Sequence, residues 1–326
     1  MTTVLITGPT RGLGRTTTLA LAARPGAELI LLGRPGRALA EVADEARARG
    51  AVVHEIGCDL ARLADVRAAA TEVRKLIDAE AARPLSALVA NAGAMSTDTR
   101  IASGDGYELT FAVNYLAHAQ LIGDLVGSAL LGGSALPGGS ALPGGSALPG
   151  DRGALAPAAR IVLLGSNTYR ANFWRKLLGV PEADWRDPLD IARPATGPAS
   201  PGMKASGVAY SNAKLAILYY AHELQRHVGA AANVVVFEPG WMPGTALGRG
   251  APAPLQTIMR GVGRLPGVSR PERSGPMLAA VAVDPTWARL RDGAFVLKDQ
   301  VTSVHPVAHD RDRERRLWEA TAELLR

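Results

Sequence analysis

The chain has 326 residues, of which 47% are hydrophobic and 20% are charged, with a net charge of +6 and a single cysteine. This composition is that of a globular protein, and one cysteine excludes a framework of intramolecular disulfides and is typical of the reducing cytoplasm. We expect no transmembrane helix, because no apolar run reaches about eighteen residues, and no nucleic-acid partner, because the arginines are mixed with acidic residues.

The first part of the chain alternates between strand and helix patterns. Short runs rich in branched apolar residues predict buried strands, and apolar residues at helical spacing predict helices. This alternation is typical of βαβ units that build a parallel sheet. The predicted strands are residues 2–8, 27–33, 51–60 and 86–94; an Ala-rich helix follows the first strand, and the other helices are residues 37–50, 65–82 and 106–131.

The second part continues the pattern. The predicted strands are residues 159–166, 232–240 and 293–298, and the predicted helices are residues 208–229 and 313–326. The sequence therefore predicts one domain over residues 1–326, of the α/β class, with a Rossmann-like doubly wound parallel sheet flanked by helices and with extended substrate loops.

Three segments interrupt the alternation. Residues 132–150 contain three copies of the unit GGSALP, and this density of Gly and Pro predicts a surface loop, either a lid or a tolerated repeat expansion. Residues 167–207 include Trp174 and Trp185, and a connection of this length is usually functional, which favours a substrate loop. We assign the irregular residues 241–292 to the same cleft.

A glycine-rich turn follows the first strand. In "TGPTRGLG" (7–14), Gly8, Gly12 and Gly14 allow a tight turn and a close approach of the backbone to a pyrophosphate. The N-terminus of the next helix then favours the negative charge of that group. A position between the first strand and the first helix makes this a specific signal for a dinucleotide site.

The spacing of this turn resembles that of the short-chain dehydrogenase/reductase family, and further motifs extend the resemblance over nearly the whole chain. The motif "NAG" (91–93) follows the fourth strand, and "PGWMPGT" (239–245) follows the sixth. The segment "DGYELTFAVN" (105–114), the long interval before Tyr210 and the chain's ending resemble the branch of retinol dehydrogenases and protochlorophyllide reductases. The residues that match the family's catalytic positions are Asn114, Ser166, Tyr210 and Lys214.

The chemistry expected of this family explains these residue types. A free tyrosine has a pKa of about 10 and holds its proton too tightly to act in both directions near pH 7. Lys214 lies one helical turn from Tyr210, and its positive charge lowers the pKa of the phenol. The resemblance implies that Tyr210 donates the proton, that Lys214 also binds the nicotinamide ribose, and that Asn114 holds a relay water. The hydroxyl of Ser166 can orient the substrate oxygen, with Tyr169 as a lesser candidate for substrate contact.

The end of the second strand bears on the choice of cofactor. Enzymes that prefer NAD usually place an acid there, but this strand ends in Gly33 and Arg34, and Arg11 lies in the glycine turn. Two guanidinium groups suit a 2′-phosphate, which predicts NADPH/NADP+, although either could simply be a surface residue. The cofactor-binding residues that the resemblance implies are Thr7, Gly8, Thr10, Arg11, Gly12, Leu13, Gly14, Arg34, Asp59, Leu60, Asn91, Ala92, Gly93, Tyr210, Lys214, Pro239, Gly240 and Thr245.

Some of these assignments have simpler alternatives. Asp59, which the resemblance places at the adenine, could be an ordinary carboxylate at a strand end. Thr245, which it places at the nicotinamide carboxamide, could be a helix N-cap. The six histidines lack metal-ligand spacing, so no metal site is expected. We assign Tyr219, Tyr220 and Cys58 to packing.

The function expected is that of an NADPH-dependent carbonyl reductase or alcohol dehydrogenase. The substrate is a bulky small-molecule ketone, aromatic or of the polyketide type, which suggests secondary metabolism. The alternatives are a catalytically silent, NADP(H)-sensing regulatory protein and a protochlorophyllide reductase-like enzyme that reduces a C=C bond. We expect a cytoplasmic protein without membrane partners, and a homodimer through the helices that carry Asn114 and Tyr210 is an open alternative.

Overall fold

The computed structural model of the protein describes residues 2–126, 153–170, 181–197, 202–242 and 268–326. The GGSALP repeat, Trp174 and Thr245 therefore lie outside the described residues, and their predicted roles stay predictions.

One sheet organises the described residues. Its strand order is β3-β2-β1-β4-β5-β6-β7-β8, so the chain winds outward from β1 in one direction and then returns to build the other half. The pairs from β3 to β7 are parallel, and β7 and β8 are antiparallel. The strands are β1 (Thr2–Thr7), β2 (Ala27–Gly33), β3 (Val52–Gly57), β4 (Leu85–Ala90), β5 (Leu155–Leu164), β6 (Ala232–Glu238), β7 (Ala294–Leu297) and β8 (Gln300–Thr302).

Helices cover both faces of this sheet. They are α1 (Gly12–Ala22), α2 (Arg37–Arg47), α3 (Leu63–Asp78), α5 (Pro188–Ile191), α6 (Gly202–Val228), α7 (Pro271–Val283) and α8 (Arg311–Leu324). The helix that we call α4 has three consecutive parts: an α-turn at Leu109–Phe111, a π-helix at Ala112–Leu116 and an α-helix at Ala117–Leu125.

Each face of the sheet packs a separate apolar layer. Side chains of α3, α4, α6 and α8 form one layer, and those of α1, α2 and α7 form the other. Alternate residues of β6 take part in the two layers: Val234 and Val236 face α6, whereas Val235 and Phe237 face α7. Near-continuous burial along β6 is what a parallel strand with both faces covered requires.

The predicted fold class is confirmed, but several boundaries differ. Helix α7 lies within residues 241–292, which we expected to be irregular, and it packs on the face opposite α6. Gly275 and Pro276 hid its helical pattern, since both residues are poor helix formers. Helix α6 begins at Gly202 rather than at 208, β5 begins at Leu155 rather than at 159, and the short edge strand β8 was not predicted.

The described part of the 167–207 segment is anchored to the core. The ring of Trp185 packs edge-on against Tyr219 of α6, with 4.9 Å between ring centroids. Asp187 caps α5 and also forms an ion pair with Arg316 of α8, at 2.7 Å from Nε to Oδ2. Residues 181–197 are therefore attached to α6 and α8 at several points.

Among the described residues, we find no helix that is both long and apolar enough to cross a membrane.

The packing of α7 on α1 can be tested at Gly275. A Cβ atom at this position would lie 2.2 Å from Oγ1 and 2.8 Å from the backbone carbon of Thr16, so the two helices would have to separate. We expect Gly275→Ala to lower the free energy of unfolding by about 1–3 kcal/mol, measured by urea denaturation. The control Arg273→Ala, at an exposed position of the same helix, is expected to change it by about 0.5 kcal/mol or less. A Gly275→Ala variant as stable as that control would contradict this packing.

Candidate active site

The carboxyl ends of β1, β4, β5 and β6 lie along one edge of the sheet, because these strands are parallel neighbours. The residues that follow them include Gly8, Asn91, Ser166 and Pro239, each from a different predicted motif. A doubly wound sheet binds its ligands at this edge, where the strand order reverses between β1 and β4.

The glycine turn between β1 and α1 is tightly built. Gly8 has a positive φ of 64°, and a Cβ atom on Gly14 would lie only 2.1 Å from the Gly8 carbonyl oxygen. The first turn of α1 can therefore approach the end of β1 only because position 14 is glycine. Gly12 also has a positive φ and open space beside it, so the turn presents bare backbone at the N-terminus of α1.

Asn91 and Ala92 join the end of β4 to this turn. The Asn91 side chain donates from Nδ2 to the carbonyl oxygen of Thr7 at 2.9 Å and to that of Gly8 at 3.3 Å. The hydroxyl oxygen of Thr7 accepts from the backbone N–H groups of Asn91 and Ala92, at 3.1 and 3.0 Å. The two strand ends therefore form one rigid cradle.

His118, which we did not single out from the sequence, links this cradle to α4. Its Nε2 lies 3.0 Å from Thr7 Oγ1, and its Nδ1 lies 3.0 Å from the Asn114 carbonyl oxygen. Because Thr7 Oγ1 already accepts two N–H bonds, its one proton is available for Nε2, and Nδ1–H then donates to Asn114. His118 is 3% exposed, and burial lowers its pKa to about 4, so the ring is neutral at pH 7.

Asn114 lies in the π-helical part of α4. Its Nδ2 donates to the carbonyl oxygens of Ala94 and Thr110, at 2.6 and 2.7 Å. A Cβ atom on Gly93 would lie 2.7 Å from Asn114 Oδ1, so the glycine of the NAG motif makes room for this side chain. A single π-turn within an α-helix is frequent at functional sites.

Tyr210 and Lys214 lie on one face of α6 at the end of β5. Lys214 is 2% exposed, and its Nζ donates to the Leu164 carbonyl oxygen at 2.7 Å. The same Nζ lies 5.5 Å from the centroid of the half-buried Tyr210 ring. Burial lowers the pKa of Lys214 to about 7, and the charge of Glu238 opposes that effect. The predicted tyrosine–lysine pair is therefore brought together beside the sheet edge.

Ser166 and Tyr169 follow β5 at the same edge. Ser166 is half-buried and caps a short 3-10 turn, since its Oγ accepts from the Thr168 N–H at 3.4 Å. Tyr169 is buried, and its hydroxyl oxygen accepts from the His305 N–H at 3.2 Å. Burial raises the pKa of Tyr169, so this phenol keeps its proton at pH 7.

The residues predicted to bind the adenosine part of the cofactor follow β1, β2 and β3, whose carboxyl ends lie along the same edge of the sheet. Arg11 and Arg34 are both exposed, and Arg34 directly follows β2. Asp59 is half-buried after β3, where its Oδ1 accepts from the Ala61 N–H at 3.1 Å and so forms an ordinary Asx turn. The other predicted cofactor residues lie close to strand ends. Thr10 follows β1, Leu13 is in the first turn of α1, and Leu60 follows β3. Pro239 and Gly240 come directly after β6.

A cluster of His222, His309 and Glu314 has ligand atoms within 4.8 Å of one another, which the sequence spacing did not suggest. The two imidazole rings are stacked, with an interplanar angle of 11°, so their in-plane lone pairs do not converge on one point. Glu314 also accepts from His222 and from Arg226, at 2.8 and 2.6 Å. We assign this cluster to the packing of α8 on α6, and the absence of a metal site stays a prediction.

Comparison with known proteins decides the family. A short chain dehydrogenase family model matches residues 2–130. Polyprenol dehydrogenase of Mus musculus is 31% identical over 321 residues, which cover 96% of this chain and 81% of the relative. The chain belongs to the short-chain dehydrogenase family. It is therefore an oxidoreductase.

Two further proteins are similar to this chain, one over part of its sequence and one in fold. A protein of Streptomyces sp. (strain C5), assigned as a daunorubicin C-13 ketoreductase, is 38% identical over 116 residues, which are 35% of this chain and 38% of that one. The crystal structure of an angucycline C-6 ketoreductase with bound NADP has a TM-score of 0.61 at 20% identity, covering 91% of this chain and 94% of the other. This structural likeness confirms the fold.

The buried His118 makes a prediction about stability and pH. Its pKa of about 4 in the folded chain lies below the ordinary value of about 6.5, so the unfolded chain binds the extra proton between these values. The contribution of the neutral His118 ring to the free energy of unfolding is therefore complete above pH 6.5, and it is lost as the pH falls towards 4. We expect the free energy of unfolding to fall by about 2 kcal/mol more between pH 7 and pH 5 in the native chain than in His118→Gln.

Chemical denaturation at the two pH values measures this difference. The control His305→Gln removes a histidine that is only partly buried, and it is measured at the same two pH values. Parallel pH dependences for the native chain and His118→Gln would contradict the neutral, doubly bonded imidazole.

Proposed function

We propose that this member of the short-chain dehydrogenase family is an NADPH-dependent carbonyl reductase, with Tyr210 as the proton donor. The observation that carries the proposal is the burial of Lys214 at the end of β5, within 5.5 Å of the Tyr210 ring centroid. A buried ammonium beside a phenol lowers the cost of forming the phenolate, which is what proton transfer to a substrate oxygen requires.

The residues at the sheet edge suit a dinucleotide. The turn at Gly8, Gly12 and Gly14 exposes backbone at the N-terminus of α1, where the pyrophosphate would bind. Exposed Arg11 and Arg34 suit the 2′-phosphate, and the absence of an acid directly after β2 disfavours NAD. When bound, NADPH supplies the hydride, and the chain orients the substrate and supplies the proton.

The steps assigned to the chain use four side chains. Ser166 orients the substrate oxygen, Tyr210 gives it a proton, and Lys214 stabilises the phenolate that remains. Asn114 keeps α4 attached to the loop after β4 through its bonds to Ala94 and Thr110. The substrate class that we propose is a bulky apolar ketone of the aromatic or polyketide type, in keeping with the similarity to an assigned daunorubicin ketoreductase.

A polyisoprenoid alcohol or its aldehyde is the second candidate substrate. It is favoured by the similarity to a polyprenol dehydrogenase over 96% of the chain. Trp241, which is 60% exposed directly after the Pro239–Gly240 turn, offers an apolar surface to either substrate. We also propose a cytoplasmic location and a role in secondary metabolism, on the single, buried cysteine and the ketoreductase relative.

Turnover of a substrate panel tests this function. Purified protein is assayed with NADPH and aromatic or polyketide ketones, and with NADP+ and polyprenols of different lengths. We expect Tyr210→Phe to lower kcat by about 10²–10⁴-fold, because the proton donor is lost, while the Kd for NADPH stays unchanged. Tyr219→Phe is the control, since it removes a hydroxyl of the same helix that donates to Val307 in the core.

The outcomes separate the candidates. Turnover limited to ketones supports the first substrate class, and turnover limited to polyprenols supports the second. NADPH binding without turnover of any substrate would favour the sensing protein over the enzyme. Full activity in Tyr210→Phe would remove Tyr210 from its proposed role.

Cofactor preference is tested at Arg34. We expect Arg34→Ala to raise the KM for NADPH by about 10- to 100-fold and to leave the KM for NADH nearly unchanged, because a charge-assisted bond to phosphate contributes about 1.5–3 kcal/mol. Arg315→Ala is the control, as this exposed arginine lies on α8, far along the chain from the glycine turn. Equal effects on both cofactors would contradict the assignment.

A further inference from the structure

Glu238 ends β6 and faces the layer that contains Lys214. Side chains alternate along a strand, and Val234 and Val236 pack in the layer of α6. Glu238 lies two residues beyond Val236, so its side chain is on the same face of β6. A carboxylate therefore stands where the pattern would place another apolar residue. The side chain is 8% exposed, which is unusual for a glutamate.

The register of the sheet brings this carboxylate to Lys214. Leu164, whose carbonyl oxygen accepts from Lys214 Nζ at 2.7 Å, pairs with Phe237, the residue before Glu238. The bond from the Gly165 N–H to the Phe237 carbonyl oxygen, at 2.8 Å, holds the two strand ends together. Lys214 and Glu238 therefore lie on the same face of the sheet, beside the ends of the adjacent strands β5 and β6.

Other titratable groups face this pair from the surrounding elements. Tyr210 is on α6 with Lys214, and the neutral His118 faces Lys214 from α4. Tyr169, after β5, is within range of the Glu238 charge, which contributes to raising its pKa. Lys298, at the end of β7, donates its backbone N–H to the Glu238 carbonyl oxygen at 2.8 Å, and its partly exposed side chain runs past Gly240.

Among these groups, Glu238 is the negative charge that acts on Lys214. Burial disfavours the ammonium, and the Glu238 carboxylate is the charge that opposes this effect. A buried carboxylate and a buried ammonium each reduce the cost of keeping the other charged. The charge that opposes the effect of burial on Lys214 therefore comes from a residue outside the Tyr210–Lys214 pair.

We propose that Glu238 is a positioning residue that keeps the Tyr210–Lys214 pair fully protonated and so sets the pH range in which the enzyme reduces its substrate. The pair carries one positive charge when both groups are protonated and none after one proton has left, whichever group loses it. The negative charge of Glu238 stabilises the first state relative to the second in either case. Since the two groups are coupled, the pH profile reports the apparent pKa of the pair.

Glu238→Gln tests the proposal, which rests on the proposed reductase function. Ketone reduction requires the fully protonated pair, so its kcat/KM falls at high pH as the pair loses a proton. We expect Glu238→Gln to move this limb to lower pH by about one unit, and to move the acid limb of alcohol oxidation in the same direction. At pH values below the high-pH limb of both the native enzyme and Glu238→Gln, the variant is expected to reduce the ketone at a rate close to that of the native enzyme.

Two variants serve as controls. Asp299→Asn removes an equal charge from the exposed turn between β7 and β8 and is expected to move the limb by less than about 0.2 units, because surface charges are screened. Glu238→Asp retains the charge on a shorter side chain and is expected to lie between the native enzyme and Glu238→Gln. If Glu238→Gln does not fold, the proposal is tested by Glu238→Asp: a shift of the high-pH limb to lower pH supports it, and an unchanged limb contradicts it.

A measurement without substrate separates this inference from the reductase function. The chain contains five lysines, so the Nζ signal of Lys214 can be followed by ¹⁵N NMR and assigned with Lys214→Arg. A lower titration midpoint for Lys214 in Glu238→Gln supports the proposal even if the native protein reduces no ketone of the panel. An unchanged or raised midpoint, or an equal shift in Asp299→Asn, would overturn it.

Discussion

The burial of one ammonium group is the constraint on which this active site depends. Lys214 is 2% exposed, and a charge removed from water must find compensation in the protein. The Leu164 carbonyl oxygen provides a hydrogen bond, and Glu238 provides a negative charge on the same face. Both are available because β5 and β6 are parallel neighbours that end together. The geometry of the sheet thus determines the charge beside Tyr210.

A second, uncharged network holds the other half of the site. Thr7, His118 and the Asn114 carbonyl form a chain of hydrogen bonds from the end of β1 to the π-turn of α4. Each donor in this chain has one acceptor, so the tautomer of the imidazole and the orientation of the hydroxyl are both determined. A buried, fully satisfied network of this kind preorganises the cradle before any ligand arrives.

Several features of the site could not be predicted from the sequence, and each has a physical reason. Glu238 ends a strand of seven buried residues, and a carboxylate in such a position gives no sign of its partner until β5 is placed beside it. His118 is one residue of an apolar helix, and its role depends on Thr7, 111 positions away. Helix α7 carries Gly275, which has no Cβ atom and so fits against Thr16 of α1, and it also carries Pro276; both residues weaken the local helical pattern.

The sequence by itself determined the alternation of strands and helices, the glycine turn and the tyrosine–lysine pair, because each depends on local spacing along the chain. Hydrophobic periodicity specifies an element, and a pair of residues one helical turn apart shares a face wherever the helix lies. Only the tertiary structure decided which charges surround Lys214 and which hydrogen bonds fix Asn114. Those contacts join residues of different strands and helices, and their energies depend on burial, which is a property of the folded sheet.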